Sequence, residues 1–187
     1  QWEVGVTHRR YRGTATLHGT LAYRRGSFAL NALPAPESEQ ACCLPKMIRW
    51  EAGATLPFRW HTQALMYRTS LRGQWNHGRL SAQDRFALGS RYTVRGYDDT
   101  FLVAGDDGML WRQEGAVSIG GQQIYLAYDM GWVRGSIEPQ RLSGGGIGTR
   151  GQIAKGVAYD VFFGWGREVS VCQAGMPVVN ASISWQW

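Results

Sequence analysis

Nowhere does the chain contain a run of about 18 apolar residues, which excludes a membrane-spanning helix. A transmembrane barrel needs no such run, since each strand shows lipid only every second side chain. Cysteine is scarce: Cys42, Cys43 and Cys172 make an odd three without histidine at ligand spacing, so no zinc site is expected. An oxidising compartment would permit one bridge, from Cys172 to Cys42 or to Cys43, and the sequence leaves that choice open. The four histidines, His8, His18, His61 and His77, have no serine or cysteine placed to make a triad with them. Paired carboxylates are confined to Asp98-Asp99 and Asp106-Asp107, which read as solvated turn residues, with calcium ligation the alternative. Gly144-Gly145-Gly146 opens a strand and not a helix, so it is no phosphate cradle. Catalytic residues, cofactors and metals are therefore not expected. The chain opens on Gln1 and lacks the basic, apolar, small-residue order of a secretory signal, so a fragment or a processed product is expected.

What the chain does have is aromatic residues and glycine. Nine Trp, eight Tyr and six Phe accompany 25 Gly, a composition of strands and turns in which rings pack on pleated faces and glycine supplies bends. The net charge of +6 is carried almost wholly by arginine. These arginines are scattered at alternating positions and never form a run, so they read as charges facing water and not as a nucleic-acid surface.

The strongest signal has a period of two, the spacing at which strand side chains share a face. From Val179 to Trp187 the odd positions are Val179, Ala181, Ile183, Trp185 and Trp187, against Asn180, Ser182, Ser184 and Gln186. From Ile48 to Trp60, apolar residues alternate with Arg49, Glu51, Gly53, Thr55, Pro57 and Arg59. Nine strands are predicted: Trp2 to Tyr11, Thr14 to Arg24, Met47 to Trp60, Gln63 to Asn76, Met109 to Ile119, Gln122 to Arg134, Ser143 to Ile153, Val157 to Trp165 and Val178 to Trp187. Most are long enough for a tilted bilayer crossing, which takes about 9–11 residues. Very short turns at Gly13, His61-Thr62, Gly120-Gly121 and Lys155-Gly156 alternate with long connections, one of them spanning about His77 to Gly108. That asymmetry fits periplasmic turns and extracellular loops. The fold class is thus all-β, a transmembrane antiparallel β-barrel. Arg49, Glu51, Arg112 and Glu114 are expected to form ion pairs across a wet lumen. A soluble β-sandwich or ligand-binding barrel is the alternative, and it would gather the apolar faces into one closed core.

The second long loop carries Arg91-Tyr92-Thr93-Val94-Arg95-Gly96-Tyr97, and a later strand carries Ala127-Tyr128-Asp129-Met130-Gly131. Here the sequence resembles the two-partner secretion transporters, the hemolysin-secretion and filamentous-hemagglutinin exporter type. Val94, Arg95, Gly96 and Tyr97 match the family's Val-Arg-Gly-Phe/Tyr signature, and Asp129 with Gly131 its Gly-x-Asp-x-Gly motif, the first Gly being Ala127. The resemblance implies the C-terminal nine strands of a sixteen-stranded barrel, with N-terminal periplasmic domains absent from this chain. It implies a pore that releases a large exoprotein, whether hemolysin, adhesin or contact-dependent toxin, through the bacterial outer membrane. The partners implied are that cargo, the lipid bilayer and the barrel-assembly machinery, which would read Ile183, Trp185 and Trp187 as a C-terminal signal. A barrel-assembly insertase and a passive porin are the alternatives. By the alternation Asp129 faces the lumen; the resemblance implies that Arg95 on an inward-folding loop pairs with it bidentately, whereas residue types alone favour the alternative of an exposed Arg95 and a solvated Asp129.

Overall fold

The structure, a computed structural model, describes residues 1–26, 46–98, 101–135, 140–168, 173–174 and 176–186. The strands are β1 Trp2–Arg12, β2 Ala15–Arg25, β3 Lys46–Trp60, β4 Gln63–Asn76, β5 Phe86–Leu88, β6 Val103–Gly105, β7 Asp107–Ile119, β8 Gln122–Arg134, β9 Gln140–Ala154, β10 Val157–Glu168, β11 Gln173–Ala174 and β12 Val178–Trp185. Nine are long, and β5, β6 and β11 have three residues or fewer. The long strands form one antiparallel sheet in the order β1-β2-β3-β4-β7-β8-β9-β10, with β12 on the far side of β10. Each neighbour in space is the next long strand in sequence, the up-and-down order that tight turns impose. The turns are closed by residues in the left-handed region, Gly13, His61, Gly120, Gly121 and Gly156.

Alternation sorts the faces as the sequence requires. On β8 the outward Ile124, Leu126, Tyr128 and Met130 are 36–65% exposed, while Tyr125, Ala127 and Asp129 on the concave side are 0–8% exposed. Phe58, Phe163 and Trp185 likewise stand exposed on the outer side, and Trp50 is half-buried. They do not gather into a closed core, which removes the sandwich alternative. Outward Trp2, Tyr23, Trp75 and Trp165 lie toward the long-loop ends of their strands, and Trp60 and Trp185 toward the short turns. Rings at both margins of an apolar band are the arrangement of interfacial girdles.

The core lies on the concave side. Phe86, Leu88, Val94, Tyr97 and Val103 from the connection between β4 and β7 pack on Leu110, Val133 and Leu142 of the wall. A second, smaller cluster joins Ala116, Tyr125, Ala127 and Phe162. The expectation of a wet lumen is therefore corrected where these clusters lie. Folding the loop inward brings its own apolar residues with it, and Leu88, Val94 and Leu142, all but fully buried, each contribute about 1.5–3 kcal/mol relative to exposure.

Candidate functional site

The described part of the loop is structured. The loop runs over residues 77–106, since β7 begins at Asp107, two residues earlier than the sequence indicated. Within it Ala82–Asp84 forms a 3-10 turn, and β5 pairs with β6 as a short antiparallel hairpin lying against β7 and β8. Sequence reading missed this hairpin because three-residue strands carry too few positions for a period to register.

Hydrogen bonds clamp the base of the hairpin. Gln74 Nε2 donates to the Asp84 and Asp106 carbonyls at 2.9 and 3.2 Å, and the Leu80 N–H donates to Asp106 Oδ1 at 3.0 Å. Asp107 accepts from the Asn76 N–H at 2.8 Å and from Arg134 Nη2 at 2.9 Å. Asp106 and Asp107 are thus buried acceptors and not solvated turn residues, because the inward loop needs partners for its backbone donors. Asp98 belongs to the tip, and Asp99 lies outside the described residues. No cluster of three metal-ligating side chains occurs among the described residues. Asp107→Ala should lower barrel stability by about 1–3 kcal/mol, chiefly through the stranded Asn76 N–H, since Arg134 is largely exposed. Urea unfolding in micelles measures this, and an unchanged midpoint would mean that the clamp contributes nothing.

At the tip, Arg95 meets Asp129 as a fork. Nε lies 2.7 Å from Oδ2, Nη2 lies 2.8 Å from Oδ1, and the Arg95 backbone N–H adds a third bond to Oδ2 at 3.1 Å. The same guanidinium gives Nη1 to Glu114 Oε2 at 2.9 Å and Nη2 to the Gln113 carbonyl at 3.1 Å. Glu114 also accepts from Arg68 and Arg150, at 3.0 and 2.7 Å. Asp129 is fully buried and Arg95 nearly so. Burial alone would lower the Arg95 pKa, but the bonds and charges of Asp129 and Glu114 outweigh it and raise the pKa above the ordinary guanidinium value.

Glycine lets the tip come this close. Gly96 has φ +98, and a Cβ there would strike the Trp165 carbonyl of β10. On the wall, a Cβ at Gly144 would strike the Arg95 carbonyl, one at Gly166 would meet the Tyr97 ring, and one at Gly131 would meet Leu88. Tyr97 stacks on Phe101 at 4.9 Å between ring centres and donates its hydroxyl to the Ser143 carbonyl at 3.3 Å. The Arg95 guanidinium also lies 5.9 Å from the centre of the Phe162 ring.

The residues expected from sequence therefore divide. Val94, Arg95, Gly96, Tyr97, Asp129 and Gly131 come together at the tip and its seat, joined by Arg112 and Glu114. Arg49 and Glu51 do not join them. Arg49 donates to Gln74, the residue directly opposite it, so it meets an amide where a carboxylate was expected, and half-exposed Glu51 stands 3.7 Å from His18. The Arg49 ion pair is corrected on that register, whereas Glu51 has an ion-pairing partner in His18. Ile183 and Trp185 face outward on β12, while Trp187 lies outside the described residues, as do Cys42, Cys43 and Cys172. Sequence reasoning missed Phe162, Arg150, Gly144 and Gly166. Phe162 was detectable as an aromatic on an otherwise polar face, and the glycines as small residues recurring at every second position of one face.

A sheet with an apolar convex side and a loop pinned against its concave side by a buried arginine fork defines a transmembrane barrel with an internal plug-like loop. The chain belongs to the haemolysin secretion/activation protein family ShlB/FhaC/HecB, whose model matches residues 1–151. It is 35% identical over 174 residues to the outer membrane transporter CdiB-2 of Burkholderia pseudomallei (strain 1026b), an alignment that covers 87% of this chain and 30% of that protein. It resembles the solved structure of CdiB from Acinetobacter baumannii with a TM-score of 0.82 at 31% identity, covering 98% of this chain and 33% of that one. CdiB from Escherichia coli, at 18% identity, shares the fold with a TM-score of 0.83, covering 98% of this chain and 36% of that one. The chain spans about a third of the length of these relatives.

Proposed function

We propose that this chain is the C-terminal wall of an outer-membrane pore that secretes a large partner exoprotein, and that the docked hairpin is the state from which transport starts. The observation that carries the reading is the Arg95 fork on buried Asp129, which holds a structured loop inside the barrel. A passive porin has no need of such a seat, whereas a polypeptide exporter needs a lumen that is obstructed at rest. The resemblance implies sixteen strands in all, so the remaining strands and any periplasmic domains would come from the rest of the protein. The bilayer would contact the exposed apolar outer face, and the assembly machinery would recognise β12. Membership of a transporter family favours transport over catalysis.

Expression of the full-length protein with the exoprotein encoded beside it, in a host lacking both, tests the reading. The cargo should collect in the medium only when the transporter is present. Cargo retained in the periplasm beside a correctly inserted barrel would overturn it and favour an insertase.

A further inference from the structure

Among the described residues Asp129 receives three hydrogen bonds, each from Arg95 on the loop tip. Directly across the β7–β8 ladder stands Arg112, its Nε 3.6 Å from Asp129 Oδ2. That is beyond hydrogen-bond reach, and this buried Nε has no acceptor among the described residues. The other end of the same guanidinium donates to the Tyr92 and Arg91 carbonyls, at 3.1 and 3.5 Å, which also belong to the tip. One event therefore removes all of these bonds. When the tip leaves, Asp129 loses its three donors and Arg112 its two acceptors, and the two remain facing each other on a rigid ladder. Glu114 is not stranded, because Arg68 and Arg150 stay with it on the wall.

We propose that Arg112 is a stand-in cation, a positioning residue that takes over Asp129 when Arg95 withdraws, so that the carboxylate stays paired while the loop is undocked. Closing the remaining few tenths of an ångström needs only side-chain rotation, since the two residues are already in register. Once the tip that covers it has gone, Asp129 faces the lumen, and a guanidinium fixed directly opposite gives it a charge-assisted partner there. The inference rests on the reading that the tip leaves its seat during export.

Thermal unfolding of the full-length protein in micelles tests this without reference to secretion. Arg112→Gln should lower the melting temperature slightly in the otherwise native protein, where Arg95 still holds Asp129. In the Arg95→Gln background the same change should lower it several-fold further, and adding Asp129→Asn should restore most of the loss. If the double variant fails to assemble, the triple variant should assemble. An effect of Arg112→Gln that shrinks or vanishes in the Arg95→Gln background would show Arg112 to be only a clip on the docked loop, and would overturn the exchange. Absence of rescue by Asp129→Asn would overturn it equally. Either failure would leave the export reading standing, because that is judged by cargo release.

Discussion

Arg95→Lys in the full-length transporter is expected to cut cargo secretion by about tenfold or more, although the positive charge is kept. A lysine offers one point of attachment, whereas the Arg95 guanidinium serves Asp129 twice, Glu114 once and the Gln113 carbonyl once. In a wet channel such a pair would be screened and its loss would cost little. The structure buries Asp129 completely, so the fuller cost of breaking a buried pair, about 3–5 kcal/mol, is the relevant scale. At 1.4 kcal/mol per power of ten, that shifts the docked population by roughly two to three and a half powers of ten. The barrel should still insert, because the outer face and the ladder are untouched. Cargo in medium and periplasm, compared by immunoblot beside heat-modifiable migration of the barrel, reads both effects, and wild-type secretion by the lysine variant would contradict the account. A reciprocal swap, Arg95→Asp with Asp129→Arg, should not rescue secretion. It would set a carboxylate beside Glu114 and a second guanidinium beside Arg112, two repulsions that the native arrangement avoids.

Gly144→Ala should come close to Arg95→Lys in effect without altering any charge. The added methyl would occupy the place of the Arg95 carbonyl, a backbone atom that cannot turn aside. The tip must lift, and a fork whose bonds are 2.7 and 2.8 Å long does not survive a displacement of about an ångström. Gly115→Ala is the matched control, since a Cβ there meets nothing within 4 Å. Secretion should fall by about tenfold for the first and stay near wild type for the second. Equal behaviour of the two would mean that close packing of the tip on β9 does not matter.

Much of this was legible in the residues because two alternating solvents write a strict period. The bounds of β4 and β8 match the sequence reading residue for residue, and the lumenal side of Asp129 followed from the alternation around it. The Arg95 partnership was legible only through the signature it resembles, since sequence distance carries no information about a contact 34 residues apart. What stayed hidden depends on a third body. The burial of Asp106 and Asp107, the apolar cluster on the concave side and the function of the wall glycines all arise from a hairpin folded against the sheet. A period-two pattern describes a strand's two faces and is silent about what later covers one of them. Arg49 shows the same limit, because its partner was set by cross-strand register and not by its neighbours in sequence.

Disulfide trapping in living cells probes the loop's position most directly. With Cys42, Cys43 and Cys172 replaced by serine in the full-length protein, Leu88→Cys and Gly131→Cys bring together two positions where a Cβ on residue 131 would lie 2.8 Å from the Leu88 side chain. A loop seated inside the barrel requires that the pair link under mild oxidation and run as a faster band until reduced. A pair that stays unlinked in a correctly inserted barrel would place the hairpin elsewhere and contradict the account.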